Sequence, residues 1–167
     1  SKLLPNYQGL VYNEAQPGYL VGIIAASVSK SGVIGAVGGI NTIPAILKYI
    51  KGYENGAKSV NPNIKVQELY VSTDITKAFN DPATGEAIAK QMIGQKADVI
   101  FQVAGLSGQG ALKAACDAKI YAIGVDVDQY VSNPNTKGCT ITSAEKKLSD
   151  TVTAAIQRIG AGTDKGG

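Results

Sequence analysis

The residues of this chain that could do chemistry are carboxylates and aromatics that follow short apolar runs. Asp126 comes directly after the apolar run Ala122–Val125, and Asp128 follows two positions later. A carboxylate at the end of a buried strand offers two acceptor oxygens, which suit the two hydroxyls of a sugar diol. Capping a helix or pairing with a lysine is the structural alternative for Asp126, and the sequence leaves both open. Asp128 has the weaker case and is expected to organise the loop.

Two phenylalanines are candidates for contact with a flat ligand. Phe101 lies near the end of an apolar run, next to a glycine-rich loop, and Phe79 lies in the loop before Pro82. Each could be a packing residue, or could line a pocket wall and stack on a base or a sugar ring. Lys146 and Lys147 fall in the first turn of the last predicted helix, where a cation opposes the helix dipole. A solvated surface pair is the simpler interpretation of these lysines.

Two glycine-rich loops follow apolar runs without matching a phosphate-binding motif. The pair Gly38-Gly39 lacks the G-x-G-x-x-G spacing, and the loop Gly105–Gly110 has no Lys-Ser or Lys-Thr pair. Tight turns that need positive φ explain such loops, and so does close approach of the backbone to an uncharged ligand.

The composition gives little support to catalysis. The chain has no histidine, which excludes a histidine triad, a histidine zinc ligand and a histidine general base within it. Ser107 has no base beside it in the sequence, and Asp126 with Asp128 could at best hold a hard metal weakly. The sequence therefore predicts a binding protein and not an enzyme, with no cofactor and no metal.

Length and charge narrow the possible partners. The chain has 167 residues, enough for one domain with its own core, and its net charge of +3 is too small to indicate a nucleic-acid partner. No apolar run approaches the roughly 20 residues of a membrane span. The two cysteines, Cys116 and Cys139, are too few for a zinc site, and the sequence leaves open whether they form a disulfide.

Short apolar runs alternate with amphipathic stretches along the chain, which is the pattern of βα units on a mostly parallel sheet. The fold class is therefore α/β, with a parallel, flavodoxin-like sheet and helices on both faces. The predicted strands are Val33–Val37, Ile64–Val71, Val99–Val103, Tyr121–Val125 and Cys139–Thr142. The predicted helices are Glu14–Ser29, Ile43–Val60, Pro82–Gln95, Gly108–Asp117 and Ala144–Ile159, the last capped by Thr142 or Ser143. Ligands of such sheets bind beyond the carboxyl ends of the strands, where the candidate residues lie.

A series of segments in a fixed order carries a family resemblance. The segments are Glu14–Leu20, Val37–Gly39, Gly52–Pro62, Phe79–Pro82, Ala97–Gly105, Ala122–Gln129 and Thr142–Lys146. The series resembles the basic membrane protein family, the nucleoside-binding lipoproteins that serve bacterial ABC importers. The ordered series covers most of the chain and is far more specific than any single segment.

The resemblance implies one lobe of a type I periplasmic-binding-protein fold, in which a purine nucleoside is enclosed between two lobes and not changed chemically. It implies that this chain is the second lobe and that the first lobe is absent from it. Residues 1–13 are then a crossover segment, 14–142 the ligand-binding lobe, and 143–167 a helix and tail that in relatives pack on the first lobe.

The resemblance also implies a location and partners. The protein is expected to be an exported lipoprotein, at the cell surface or in the periplasm, whose signal and lipid anchor are not in this chain. Its partners are the nucleoside and an ABC permease in the membrane, with no nucleic acid. This chain by itself is expected to be a monomer or a weak dimer.

By the same resemblance, Phe101 looks like the aromatic that stacks on the base, Asp126 like the acceptor of the ribose hydroxyls, and Lys146 like a polar contact to the nucleoside. The loop after Phe101 is expected to bring backbone near the ligand, but Leu106 stands where relatives usually have a second glycine. The complete predicted ligand-binding set is Asp126, Phe101, Gly105, Leu106, Lys146 and Phe79.

Two other functions stay open from the sequence. One is a ligand-sensing regulatory protein of the same fold, because a fold does not determine the downstream partner. The other is a flavodoxin-like enzyme, which would need a general base from outside this chain.

Overall fold

The computed structural model of the chain describes residues 6–163, which fold as an α/β structure. The elements in chain order are α1 (Ala15–Val28), β1 (Val33–Gly38), α2 (Pro44–Val60), β2 (Lys65–Tyr70), α3 (Ile75–Ala78), α4 (Pro82–Gly94), β3 (Val99–Val103), α5 (Gly105–Asp117), β4 (Tyr121–Asp126), α6 (Gln129–Ser132), a 3₁₀ turn (Pro134–Thr136), β5 (Thr140–Glu145) and α7 (Leu148–Gly160). The strands form one parallel sheet in the order β2-β1-β3-β4-β5. The predicted flavodoxin-like parallel sheet is confirmed.

Helices cover both faces of the sheet. Helices α1 and α2 lie on one face, and α4 and α5 lie on the other. Because successive side chains of a strand point to opposite faces, β3 sends Phe101 toward α2 and Ile100 toward α4 and α5. Neither side chain has exposed surface. Burial on both faces explains why the central strands are short, uninterrupted apolar runs in the sequence.

The chain divides into two compact units. One contains residues 13–145, with the whole sheet and helices α1 to α6, and the other contains the described residues 6–12 and 146–163. In the second unit, Arg158 of α7 donates a hydrogen bond of 3.1 Å to the Gln8 side chain. Helix α7 has no buried residue, and its exposed apolar side chains recur at the spacing of one helix face: Leu148, Val152, Ile156 and Ile159.

The prediction was wrong at the carboxyl end of the sheet. Ala144 was assigned to the last helix, but it belongs to β5 and pairs with Val125 of β4, so that α7 begins only at Leu148. The predicted caps Thr142 and Ser143 lie within β5 and cannot cap that helix. The two lysines that follow β5 therefore precede α7 and do not occupy its first turn. Helix α5 also begins earlier than predicted, at Gly105.

Helices α1 and α2 approach each other closely because glycines replace larger side chains where they meet. A Cβ on Gly22 would lie 2.1 Å from the Tyr53 carbonyl oxygen, and a Cβ on Gly56 would lie 2.0 Å from that of Tyr19. The contact is lined by four such glycines, Gly18, Gly22, Gly52 and Gly56. Any side chain at these positions would push the two backbones apart.

Cys116 of α5 and Cys139, directly before β5, form a disulfide, which answers the question that the sequence left open. The two cysteines are 23 residues apart in the chain, and the bridge joins the edge strand β5 to a helix that covers the sheet. A cross-link over a loop of this length typically stabilises a fold by about 3 kcal/mol. Within residues 6–163, no helix combines the length and apolar character that a bilayer span requires.

The glycine contact predicts opposite outcomes for two Gly→Ala substitutions. We expect Gly22→Ala to lower the free energy of unfolding by about 2 kcal/mol, because the new methyl group would overlap the α2 backbone. Gly94→Ala is the matched control, since a Cβ at this helical position meets nothing within 4 Å, and should raise stability by about 0.5 kcal/mol. Urea denaturation of both variants measures these changes, and equal effects would contradict the packing described here.

Candidate functional site

The carboxyl ends of β1, β3 and β4, with the residues that follow them, form the region that we call the carboxyl edge. The order of the sheet reverses here, because β2 lies on one side of β1 while β3, β4 and β5 lie on the other. In open parallel sheets, the helices diverge at such a reversal and ligands bind there. The backbone N–H of Gly39 donates a 3.0 Å hydrogen bond to the Val103 carbonyl, so the ends of β1 and β3 are joined directly.

Phe79 lies over the junction of β1 and β3. Its ring is so close to Gly39 that a Cβ there would lie 2.5 Å from the ring carbon Cε1, and a Cβ on Gly105 would lie 3.5 Å from the Phe79 Cβ. The Phe79 carbonyl oxygen accepts hydrogen bonds from the N–H groups of Leu106 (3.1 Å) and Ser107 (3.3 Å). The structure thus brings three predicted site residues, Phe79, Gly105 and Leu106, together at the start of α5.

Gly105 and Leu106 are both exposed, and Phe79 is half-buried. Gly105 has φ of +55°, a left-handed conformation that glycine adopts without strain. The Leu106 side chain is 52% exposed in the first turn of α5. These side chains are therefore accessible at the carboxyl edge, but their contact with a ligand stays a prediction.

Phe101 does not lie where it could stack on a base, the role that the family resemblance implied for it. Its side chain has no exposed surface and packs in the core, with ring centroids 5.0 Å from Tyr53 and 6.2 Å from Tyr49. The cause is the alternation of the strand, which directs Phe101 sideways under α2 and not outward from the strand end. Phe101 is a packing residue, and a ring enclosed in this way has no free face for a base.

Asp126 is the last residue of β4 and has an unusual backbone conformation. Its φ is +65°, in the left-handed region, where aspartate is among the few tolerated residues other than glycine. Asp126 pairs in register with Glu145 of β5, and its side chain is half-buried. A tight turn follows, in which the Val127 N–H donates to the Val125 carbonyl at 2.8 Å. Such strained conformations cluster at functional sites.

The Tyr49 hydroxyl of α2 lies near the Asp126 carboxylate, which helps to raise the pKa of Tyr49. Tyr49 is 1% exposed, and its hydroxyl oxygen is 3.1 Å from the carbonyl oxygen of Ala144. Burial is the main reason that the pKa of Tyr49 is raised above its ordinary value near 10, and the charges of Asp126 and Glu14 raise it further. Asp126 therefore lies on the face of the sheet that α2 covers.

Sequence analysis missed Tyr49 because its spacing from Ile46 and Tyr53 is that of a buried helix face. The only signal was the polar tip of the side chain, which needs a partner when it is buried. Asp128, by contrast, organises the loop after β4, as the sequence predicted. Its carboxylate accepts hydrogen bonds from the N–H groups of Tyr130 (2.9 Å) and Val131 (3.3 Å) and so caps α6.

Lys146 follows β5 and belongs to the unit that contains α7. Its ammonium nitrogen lies 5.7 Å from the centre of the Tyr12 ring, in the same unit. The predicted contact of Lys146 with a nucleoside stays a prediction. In the part of the chain that the structure describes, no group of three His, Cys, Asp or Glu side chains is arranged to hold a metal ion.

The sheet order and the likeness to solved structures define one lobe of a type I periplasmic-binding-protein fold. An ABC transporter solute-binding protein from Aeropyrum pernix K1 superposes with a TM-score of 0.84 at 28% identity, over 99% of this chain and 47% of that chain. The sequence model of the Bmp family, described as ABC transporter substrate-binding protein PnrA-like, matches residues 5–167. This chain belongs to the Bmp family, so the resemblance found in the sequence is confirmed.

Two curated relatives have similar sequences. Basic membrane protein D of Borreliella burgdorferi (strain JD1) is 39% identical over 145 residues, which are 86% of this chain and 40% of that protein. The ABC transporter nucleoside-binding protein BmpA of Lactococcus lactis subsp. cremoris (strain MG1363) is 36% identical over 132 residues, which are 74% of this chain and 36% of that protein. The chain thus spans about 40% of the length of the curated relatives that it matches.

The raised pKa of Tyr49 predicts a loss of stability in alkali. The folded state favours the neutral phenol, so this contribution is complete below the unfolded pKa near 10 and is lost as the pH rises above it. We expect the free energy of unfolding to fall less steeply above pH 10 in Tyr49→Phe than in the natural sequence. Both retain Tyr53 and Tyr70, whose pKa values burial also raises. Urea denaturation between about pH 8 and 11 measures the two slopes, and identical slopes would contradict this assignment.

Proposed function

We propose that this chain is the second lobe of the substrate-binding protein of a bacterial ABC importer. The full protein then binds a purine nucleoside between two lobes and does not change it chemically. The observation that carries the proposal is Asp126, a half-buried carboxylate held in a left-handed conformation at the carboxyl edge. Membership in a family of ABC transporter substrate-binding proteins supports the proposal, and the printed name of the lactococcal relative supports a nucleoside as ligand.

The proposed role of Asp126 is to accept hydrogen bonds from the ribose hydroxyls. A carboxylate can accept from both hydroxyls of a vicinal diol, and each hydrogen bond to a charged group contributes about 1.5–3 kcal/mol. The Tyr49 hydroxyl beside it orients the carboxylate from the α2 side. A ligand held in this way keeps all its bonds, since the interaction involves no proton transfer and no nucleophile.

Phe79 is our proposed contact to the base, in place of the buried Phe101. Its ring is half-buried against Gly39 and Gly105 at the junction of β1 and β3, the point where ligands bind in sheets of this order. An aromatic ring there can stack on a planar base. The exposed Leu106 adds apolar surface next to it.

The start of α5 favours an uncharged ligand over a phosphorylated one. A free helix N-terminus attracts phosphate through its N–H groups. In α5, however, the N–H groups of Leu106 and Ser107 donate to the Phe79 carbonyl, and that of Gly108 donates to Ala104. These donors are already used, which supports a nucleoside and not a nucleotide.

The absence of chemical change is supported by the state of Ser107, the serine in the first turn of α5. Ser107 is fully buried, and its Oγ accepts a hydrogen bond of 2.8 Å from the Asp81 N–H. A hydroxyl engaged in this way is a structural group and not an exposed nucleophile. We therefore propose no enzyme activity and no cofactor.

In this proposal, residues 14–142 bind the ligand, and residues 143–167 contact the first lobe. The apolar face of α7, which contains Val152 and Ile156, is exposed in this chain and fits a role in packing against further protein. The matched region covers 40% of basic membrane protein D, which leaves room for another lobe in a protein of that length. Export as a lipoprotein and delivery to a membrane permease complete the proposal, on the basis of the family.

The test compares two aspartates that are two positions apart. In the full-length protein, we expect Asp126→Asn to weaken guanosine binding by about tenfold, because an amide accepts hydrogen bonds less strongly and offers one oxygen instead of two. Asparagine tolerates the left-handed backbone of Asp126, so the fold should be kept. Asp128→Asn is the matched control, because an asparagine can still cap α6, and its affinity should stay within about twofold. Calorimetry measures both, and unchanged affinity in Asp126→Asn would reject the assignment.

A further inference from the structure

We propose that a buried bridge of three polar side chains, Gln102, Gln129 and Ser143, positions Asp126 for its ligand. We call these three residues the glutamine bridge. They join the carboxyl ends of β3, β4 and β5 and hold the turn that follows β4. This inference rests on the proposed function, in which Asp126 accepts the ribose hydroxyls.

Gln129 is the centre of the bridge. Its side-chain oxygen Oε1 accepts a hydrogen bond of 2.6 Å from Gln102 Nε2 and another of 3.0 Å from the backbone N–H of Val125. Its own backbone N–H donates to the Ser143 Oγ at 3.0 Å. Gln102 in turn accepts from the Ala104 N–H at 3.0 Å through its own Oε1. The side chain and the backbone N–H of Gln129 together thus join residues from three neighbouring strand ends.

The bridge is buried. Gln102 has no exposed surface, and Gln129 is 9% exposed. Inside a protein, buried polar groups are costly unless they are hydrogen-bonded, and an apolar core of the same shape would need no such network. If these positions only had to fill the end of the sheet, leucine or isoleucine would pack there equally well. The polar side chains therefore indicate a role beyond packing.

The neighbouring residues leave room for the bridge by having no side chain. A Cβ on Gly108 would lie 1.8 Å from Gln102 Oε1, and a Cβ on Gly124 would lie 2.5 Å from Ser143 Oγ. Gly124 is a strand residue, where glycine costs stability because it packs nothing and gives up more entropy on folding. Two glycines are therefore needed to accommodate these polar side chains.

The position of the bridge links it to Asp126. The Gln129 side chain accepts a hydrogen bond from the N–H of Val125, the residue directly before Asp126. Gln129 itself comes three residues after Asp126, and its backbone N–H donates to the Ser143 hydroxyl. Asp126 is thus fixed on both sides. A left-handed aspartate costs of order 1 kcal/mol and persists only where the surrounding contacts determine it. Without the bridge, the turn could relax to an ordinary conformation, and the Asp126 carboxylate would then be displaced.

The experiment uses the full-length protein with guanosine as probe and two measurements. Calorimetry gives the affinity, and hydrogen exchange gives the protection of the backbone N–H groups between Val125 and Gln129. Gln129→Leu removes the acceptor, while Ser143→Ala and Ser143→Thr form a pair of which only the second keeps the hydroxyl. Gln67→Leu is the control, because Gln67 is also a buried strand glutamine, and its Nε2 donates to the Gln95 carbonyl at 3.2 Å in another part of the sheet.

We expect Gln129→Leu to weaken guanosine binding by about tenfold and to speed exchange in the turn, because about one net hydrogen bond of positioning energy is lost. Ser143→Ala should weaken binding by a smaller factor, and Ser143→Thr should restore it. Gln67→Leu should lower stability without a change in affinity. In an Asp126→Asn background, Gln129→Leu should have no further effect, because the bridge acts through Asp126.

The inference is overturned if Gln129→Leu and Ser143→Ala bind guanosine as the natural sequence does while Asp126→Asn does not. It is also overturned if Gln129→Leu has the same effect with and without the Asp126 carboxylate. If the natural sequence does not bind guanosine, the proposed function fails, and hydrogen exchange decides the positioning role alone. Faster exchange of the turn in Gln129→Leu, and not in Gln67→Leu, then supports it, and unchanged exchange overturns it.

Discussion

The constraint on which the rest of this structure depends is the burial of a parallel sheet on both faces. Helices α1 and α2 cover one face and α4 and α5 cover the other, so the side chains of β3 and those of Ala122, Ile123 and Val125 in β4 are buried. Polar side chains can then serve a ligand only where the strands end. Asp126 is the clearest product of this constraint, because it directly follows the buried residues Ala122–Val125 of β4 and is itself only half-buried. The glycine contact between α1 and α2 and the disulfide at β5 keep these layers closed around the strand ends.

Both phenylalanines were predicted ligand contacts, and their different surroundings follow from the same geometry. Phe101 lies within a strand, where its position in the alternation directs it under α2, against Tyr49 and Tyr53. Phe79 lies in a loop, where no such alternation applies, and its carbonyl is held by the first turn of α5. A loop residue tied to a helix start can reach the end of the sheet, and a residue inside a covered strand cannot. The aromatic that serves a ligand in this lobe is therefore proposed to be Phe79.

The architecture could be predicted from the sequence because the apolar pattern of a strand is strongest where the strand is completely buried. β3 was predicted with its exact bounds, since all of its residues are buried, and the prediction for α2 began one residue too early and ended at the correct residue. The edge strand β5 is only partly buried and mixes threonine, serine and glutamate with its apolar residues, so its second half resembled the start of a helix. Because the last helix was predicted to begin at Ala144, Lys146 was assigned to that helix, whereas α7 begins only at Leu148.

The site was predictable only in part, since a sequence shows which residues follow a strand but not where they point. Asp126 was predicted as a ligand residue because it ends an apolar run. Its left-handed conformation and its neighbour Tyr49 depend on contacts 77 positions apart in the chain, which no local pattern records. The glutamine bridge was missed for the same reason: Gln102 and Gln129 come together only when β3 and β4 pair.

The measurement that tests the central claim most directly is the affinity of the full-length protein for guanosine and for 2′,3′-dideoxyguanosine. The two compounds share the base and differ only in the ribose hydroxyls that Asp126 is proposed to bind. The account predicts that the dideoxy compound binds about tenfold or more weakly, as expected for the loss of hydrogen bonds to a charged group. Equal affinity for the two compounds would contradict it, because the Asp126 carboxylate would then have no part in holding the sugar.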